Sequence, residues 1–129
     1  MVLDTSALVA ILLHEPERDA FLDAVAAAPT RLVSAATLVE ASVVLERRRG
    51  DHAGRELDLL VHRAGIRVVA VDGDQAELAR GAWRRYGKSR HPAALNYGDL
   101  FSYALARATG EPLLYKGDDF AKTDLGARA

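Results

Sequence analysis

The sequence predicts an α/β fold, a parallel sheet covered by helices on both faces. Short apolar runs recur at residues 1–3, 31–33, 66–71 and 112–115, and two segments with helical spacing lie between each run and the next. Connections of that length are crossovers, which join parallel strands. No repeat, linker or low-complexity stretch divides the chain, so one domain over 1–129 is expected. At 129 residues and 50% hydrophobic it can bury a full core without disulfides or other staples.

The elements follow in order. The first strand, 1–3, ends at Asp4, and Thr5 and Ser6 are hydroxyl residues suited to capping a helix over 7–13. Pro16 suits the first position of a second helix. In it Phe21, Leu22 and Val25 recur at helical spacing, and Pro29 stops it. After the strand at 31–33, Ser34 caps a third helix that runs to Arg49, with Gly50 as its stop. Leu57, Leu60, Val61 and Ala64 mark a fourth helix, ended by Gly65. Residues 66–71, IRVVAV, form the clearest strand, and their continuous β-branched character predicts burial on both faces. Asp72 with Gln75 three residues later reads as a capping box for a fifth helix reaching about Tyr86. A polar, basic loop over 87–96 precedes a sixth helix at 98–109, ended by Gly110. The strand at 112–115 is the last, and turn chemistry begins at Lys116.

Composition removes several classes of function. Seventeen Lys and Arg against eighteen Asp and Glu give a net charge of -1, so nucleic-acid binding would need a local basic patch. The absence of cysteine excludes disulfides, thiolate catalysis and cysteine-based zinc sites. His14, His52, His62 and His91 are scattered without metal-binding spacing. No apolar run is long enough to span a bilayer and no signal peptide is evident, so a cytoplasmic protein is expected.

In parallel α/β sheets ligands sit beyond the carboxyl ends of the strands, which directs attention to Asp4, Ser34, Asp72 and the segment from Lys116. Asp4 follows the first strand, and as an isolated residue it would serve as a helix cap. Glu40 has Ala36, Thr37, Val43 and Val44 as its helical neighbours, with no Lys or Arg one turn away. A carboxylate on an apolar face must be hydrogen-bonded, paired or metal-bound, unless its head reaches water at the edge of the stripe. Asp99 falls in the first turn of the sixth helix, where the macrodipole favours a carboxylate. Asp118 and Asp119 follow the last strand. Together these acids can face one rim of one sheet, where mutual repulsion raises their pKa values and a hard divalent cation relieves it. Oxygen-only ligation suits Mg²⁺ or Mn²⁺, and such a site activates water and clamps a phosphate.

Four segments, MVLDTSALVAIL, SAATLVEASVVL, LNYGDLFSYALA and PLLYKGDDFAKTDL, resemble the signature segments of PIN-domain ribonucleases, and in particular of the VapC toxins of toxin–antitoxin pairs. The resemblance runs from Met1 to Leu125. It implies a three-layer α/β/α sandwich and Mg²⁺-dependent endonucleolytic cleavage of RNA. It also implies a homodimer and a cognate VapB-like antitoxin whose tail lies over the acidic rim. Asp4, Glu40 and Asp99 match three positions of the family's acidic site, as catalytic and metal-binding residues, and Ser6 matches its small hydroxyl residue. The fourth acid falls at Asp119, just before Phe120. Some relatives carry a further Asp where this chain has Gly117, which leaves Asp118 as the other candidate.

The substrate side has its own signal. Between Glu77 and Asp99 there is no acid, while Arg80, Arg84, Arg85, Lys88 and Arg90 are interleaved with Trp83 and Tyr86. That mixture suits the backbone and bases of single-stranded RNA. The plain alternative makes the aromatics core residues and the arginines a solvated face. Arg47, Arg48 and Arg49 read as complements to a helix C-terminus, and His91 as incidental to its loop. Two other functions are open to the same residues. One is a receiver- or phosphatase-like phosphoryl-transfer domain using Asp4, Asp72 and Lys116, although the phosphatase pattern would need Asp at Ser6. The other is an interaction module that binds metal without turnover.

Overall fold

The computed structural model describes residues 1–126, so the last three residues of the expected domain lie outside the described residues. Four short strands, β1 (Val2–Leu3), β2 (Leu32–Ser34), β3 (Arg67–Val69) and β4 (Leu113–Leu114), form one sheet. All pairings are parallel and the order is β3-β2-β1-β4. Six helices connect them: α1 (Thr5–Leu12), α2 (Arg18–Ala27), α3 (Ala35–Arg49), α4 (His52–Arg63), α5 (Gly73–Tyr86) and α6 (Tyr97–Thr109).

Side chains alternate across a strand, and here the alternation sorts the core into two layers. Val2 and Leu32 point to one face, where they meet Ala79, Ala82, Leu100, Tyr103 and Leu105 of α5 and α6. Leu3 and Val33 point to the other, against Leu8 and Val9 of α1, Ala41 and Leu45 of α3 and Leu57 of α4. The result is a three-layer α/β/α arrangement, as the sequence predicts.

Three local readings need correction. Pro16 does not open the second helix: α2 starts at Arg18 with Glu17 as its N-cap, and Pro16 lies in the turn before it. The IRVVAV segment is not buried on both faces: β3 is the edge strand, Arg67 is exposed and Val68 is 42% exposed. Its apolar character is used unevenly, with Ile66 packed in the α1/α3/α4 layer and Val69 against the α5/α6 layer. The expected capping box of α5 is half formed. The Asp72 carboxylate accepts from the Gln75 backbone N–H at 2.9 Å, but the buried Gln75 side chain donates to the Ala70 carbonyl.

The helix starts decide where the site lies. Asp4, rather than Thr5 or Ser6, is the N-cap of α1, which therefore begins directly after β1. Asp4 is also held by the sheet, its N–H donating to the Leu114 carbonyl at 3.0 Å. Ser34 caps α3. Asn96 caps α6 in a capping box with Asp99. At the other end of α6, Gly110 takes a left-handed conformation, φ 73°, that disfavours residues with a Cβ.

Candidate active site

Asp4 is 3% exposed, and a buried carboxylate must find partners. Its Oδ2 accepts from the Ser6 N–H at 3.0 Å and the Ser6 hydroxyl at 2.7 Å. Its Oδ1 accepts from the Ser102 hydroxyl at 2.6 Å. Ser102 is fully buried on α6 and lies 3.2 Å from the Thr37 hydroxyl on α3. The hydroxyl oxygen of Ser6 also accepts the Lys116 N–H at 2.9 Å, tying the end of β4 to α1. Ser6 therefore orients Asp4 and spends its one hydroxyl proton on it.

Glu40 is half-buried in the middle of α3. Its head is not in open water: the Thr5 hydroxyl donates to Oε1, and the first turn of α6 closes against the other oxygen. A Cβ placed on Gly98 would sit 1.9 Å from Glu40 Oε2, so only glycine admits the carboxylate at this depth.

Asp99 serves as the third residue of the α6 capping box, its Oδ2 accepting the Asn96 N–H at 2.9 Å. A carboxylate with only that role would stay readily ionised. Instead the Asp99 carboxyl is raised to about 7, chiefly by burial, against the lowering effect of the Asn96 N–H. The charges of Asp4, Asp119 and Glu40 raise it further. Asp119 is exposed, just before a 3₁₀ turn at Phe120–Lys122, and its charge is among those that raise Asp99.

Among the described residues none of Asp4, Glu40, Asp99 and Asp119 takes part in an ion pair. Nor do any three carboxylate or imidazole side chains stand close enough together to grip one ion. The donor set nevertheless fits a hard cation. It is all oxygen, it repels itself, and Asp99 has one oxygen outside the capping box. A cleft of about 480 Å³ opens over Asp4, Glu40 and Asp99, lined also by Ser6, Arg48, Lys116 and Gly117; Asp118 and Asp119 lie outside its lining.

Arg80, Arg84, Arg85 and Lys88 are not brought to this cleft. Arg80 pairs with Glu77 at 2.7 Å, Arg85 lies over the Tyr86 ring at 4.8 Å, and Arg84 is exposed. Arg80 and Lys88 instead line an apolar groove of about 660 Å³ between α5 and α6, with Trp83, Tyr97 and Phe101. The groove meets the acidic cleft at Asn96, which lines both. Tyr86 is a core residue, and Trp83 is 38% exposed under Arg90. His91 accepts the Ala93 N–H through Nδ1 and so organises its turn.

Thr5, Thr37, Gly98, Ser102 and Arg48 escape a reading by residue type. Two had a periodic signal: Ser102 lies one turn past Asp99, and Arg48 lies eight residues past Glu40 on the same helix face. Ser102→Ala would leave Asp4 Oδ1 and the Thr37 hydroxyl without their partner. Losing a buried hydrogen bond to a charged group costs about 2 kcal/mol. Thermal unfolding should show a lower Tm, and turnover should fall with it; an unchanged Tm would deny the bond its role.

The receiver-like alternative fails on placement. Asp72 caps α5 beyond the edge strand, and Lys116 Nζ is engaged by Glu15 at 3.1 Å and Glu17 at 3.2 Å. These two carboxylates raise the pKa of Lys116.

A parallel three-layer sheet with carboxylates gathered past the end of its central strand defines a nuclease-like class of site. Residues 1–125 match the PIN domain family. The chain belongs to that family, and within it to the VapC ribonucleases, endoribonuclease toxins of toxin–antitoxin systems. It is 58% identical over 127 residues to Ribonuclease VapC of Mycolicibacterium smegmatis, covering 98% of each chain. To Ribonuclease VapC30 of Mycobacterium tuberculosis it is 55% identical over 129 residues, 100% of this chain and 98% of that one. A crystal structure of Mycobacterium tuberculosis VapC20, described as a toxin that cleaves the sarcin–ricin loop, shares the fold. Its TM-score is 0.73 at 22% identity, over 99% of this chain and 94% of that one. Among the described residues no helix is long and apolar enough to cross a membrane.

Proposed function

We propose that this chain, as a single nuclease domain over 1–129, cleaves cytoplasmic RNA by Mg²⁺-dependent hydrolysis at Asp4, Glu40, Asp99 and Asp119. The observation that carries the reading is that Asp4, Glu40 and Asp99 line one cleft with no basic side chain paired to any of them among the described residues; burial first, and then the neighbouring carboxylates, raise Asp99 to about 7. Mg²⁺, or Mn²⁺ in its place, would be held by those four residues; when bound it supplies an activated water and neutralises charge on the phosphate. Asp4 is pinned by Ser6 and Ser102, which fixes the direction of its remaining lone pairs. Glu40, held by Thr5 beside Gly98, presents a second acceptor from across the cleft. Asp99 holds a proton near neutral pH in the metal-free site, and a bound cation would favour its ionised, ligating form. Arg80 and Lys88, which border the α5/α6 groove, and Arg84 and Arg85, exposed on α5, would meet RNA only where it runs beyond the cleft, while Ser6 would meet it at the cleft itself.

The same acidity suits regulation by an antitoxin. A basic side chain from a VapB-like partner, laid over Asp4 and Asp99, would neutralise them in place of the cation, and a homodimer is the expected assembly.

Chelation tests the reading. EDTA should abolish cleavage of RNA by the purified protein, Mg²⁺ or Mn²⁺ should restore it, and Asp4→Asn should remove it while the far-ultraviolet circular dichroism stays unchanged. Full cleavage in excess chelator would overturn the mechanism. Compared under limiting Mg²⁺, Asp119→Asn should lose more rate than Asp118→Asn, because Asp119 is the acid whose charge bears on Asp99 and which directly precedes the buried Phe120. A greater loss in the Asp118 variant would reassign the fourth acid.

A further inference from the structure

We propose that Arg48, with Arg47 beside it, forms a phosphate subsite on α3 that binds the RNA backbone next to the acidic cleft. The inference rests on the ribonuclease reading above and adds to it the side from which the strand is held.

Glu40, Val44 and Arg48 are spaced four residues apart, so they occupy successive turns of one face of α3. That face looks into the site: Glu40, Val44 and Arg48 all line the acidic cleft. Val44 and Arg48 also line a second cleft of about 400 Å³, to which Arg47 is added. A strand lying across the carboxylates therefore meets two arginines as it leaves along α3.

The arginines are uncommitted. Among the described residues neither makes a side-chain hydrogen bond or an ion pair. Glu46, the acid nearest in sequence, turns instead to α4, where a Cβ on Gly54 would lie 3.0 Å from its carboxyl carbon. Lys116, the other cation of the acidic cleft, is spent on Glu15 and Glu17. Arg80 and Arg85 of α5 are likewise engaged, by Glu77 and Tyr86, and Arg80 borders a different groove. An RNA phosphate approaching a ring of carboxylates needs a positive group close by, and a guanidinium with all its donors available offers two parallel bonds to one phosphate. A helix C-terminus also favours cations, but that needs only the charge, not an arginine turned into the cleft.

The test separates these roles. Full-length Arg48→Gln and Arg48→Lys are assayed with a single-stranded RNA oligonucleotide and Mg²⁺. Binding of the same oligonucleotide is titrated over a range of salt in an Asp99→Asn background. A charge-assisted hydrogen bond predicts that Arg48→Gln raises KM by about tenfold with kcat within about twofold. The slope of log affinity against log salt should fall by about 0.7, the loss of one phosphate contact on a single strand. Arg48→Lys should keep the slope and recover part of the affinity. Arg63→Gln, an exposed arginine at the end of α4, should change neither. Wild-type KM and slope in Arg48→Gln would overturn the proposal, with any change in Tm assigned to the helix end. So would an equal loss in Arg63→Gln, which would mean a diffuse charge effect. If the wild type neither bound nor cleaved RNA, the ribonuclease reading would fall first, and this proposal with it.

Discussion

Asp99→Asn is expected to raise the melting temperature of the metal-free protein at pH 8 while reducing RNA cleavage by about a thousandfold or more. The two effects have one cause. Folding places the Asp99 carboxyl in a half-buried position beside Asp4, Asp119 and Glu40, and its pKa rises from 3.8 to about 7. Between those values the folded chain keeps a proton that the unfolded chain gives up. Stability therefore falls as pH rises through this window, and above it the charged Asp99 bears the full penalty in the folded state. Asparagine removes the charge, and its side-chain carbonyl can still accept the Asn96 N–H that closes the capping box. The gain in Tm should be largest at pH 8, shrink as pH falls through this window, and vanish only below 3.8, where the carboxyl is protonated in both the folded and the unfolded wild type. In a chain of this size each kcal/mol relieved is worth about 4 °C. Excess Mg²⁺ should reverse the order, raising the Tm of the wild type and leaving that of the variant nearly unchanged, because a ligand stabilises only the state that binds it. A variant no more stable than the wild type at pH 8, or one whose advantage did not shrink on acidification, would show that burial and the neighbouring carboxylates do not penalise a charged Asp99. A site of this kind keeps destabilising charges because function needs them.

The order of elements was legible because glycine, proline and capping residues punctuate it. Pro29, Gly50, Gly65 and Gly110 all fall where a helix has ended, and Ser34 and Asp72 where one begins, whereas Asn96, read as the end of a loop, proved to be the cap of α6. The position of β3 was not legible, since an apolar run states that a segment is buried somewhere but not which neighbours cover it. Edge placement followed only from the sheet order. Asp4, Glu40 and Asp99 stood out as acids in apolar or strand-end settings, and their motifs carried the family resemblance. The groups that hold them did not stand out. Ser102 reaches Asp4 across 98 residues of sequence, and Thr5 reaches Glu40 across 35. Small hydroxyl residues in helices show at most a spacing, as Ser102 does one turn past Asp99, and their partners emerge only when the helices are packed. The basic segment of α5 shows the converse limit. Its composition resembles an RNA-binding surface, yet composition cannot say which groove Arg80 and Lys88 border or that Glu77 and Tyr86 engage two of the arginines.

Gly98→Ala is the least conspicuous substitution with a large expected effect. In the first turn of a helix, alanine in place of glycine favours folding by up to about 1 kcal/mol, and nothing in the backbone of α6 requires glycine's freedom. The obstacle is Glu40. The new Cβ would lie 1.9 Å from its Oε2 and 2.4 Å from its carboxyl carbon. Because the obstructing atoms are the end of a flexible side chain, Glu40 can swing aside, abandoning the Thr5 hydroxyl and its place opposite Asp99. The fold should survive, with a Tm equal to or above that of the wild type. Activity should fall by about a hundredfold, the order of loss that accompanies a displacement of about 1 Å in a catalytic group. A double-mutant cycle tests the route of the effect. If Gly98→Ala acts by displacing Glu40, adding it to Glu40→Gln should cost little further activity, because the carboxylate it dislodges is already gone. Wild-type activity in Gly98→Ala, or losses that simply multiply in the double variant, would mean that Glu40 does not act from the position in which α6 holds it.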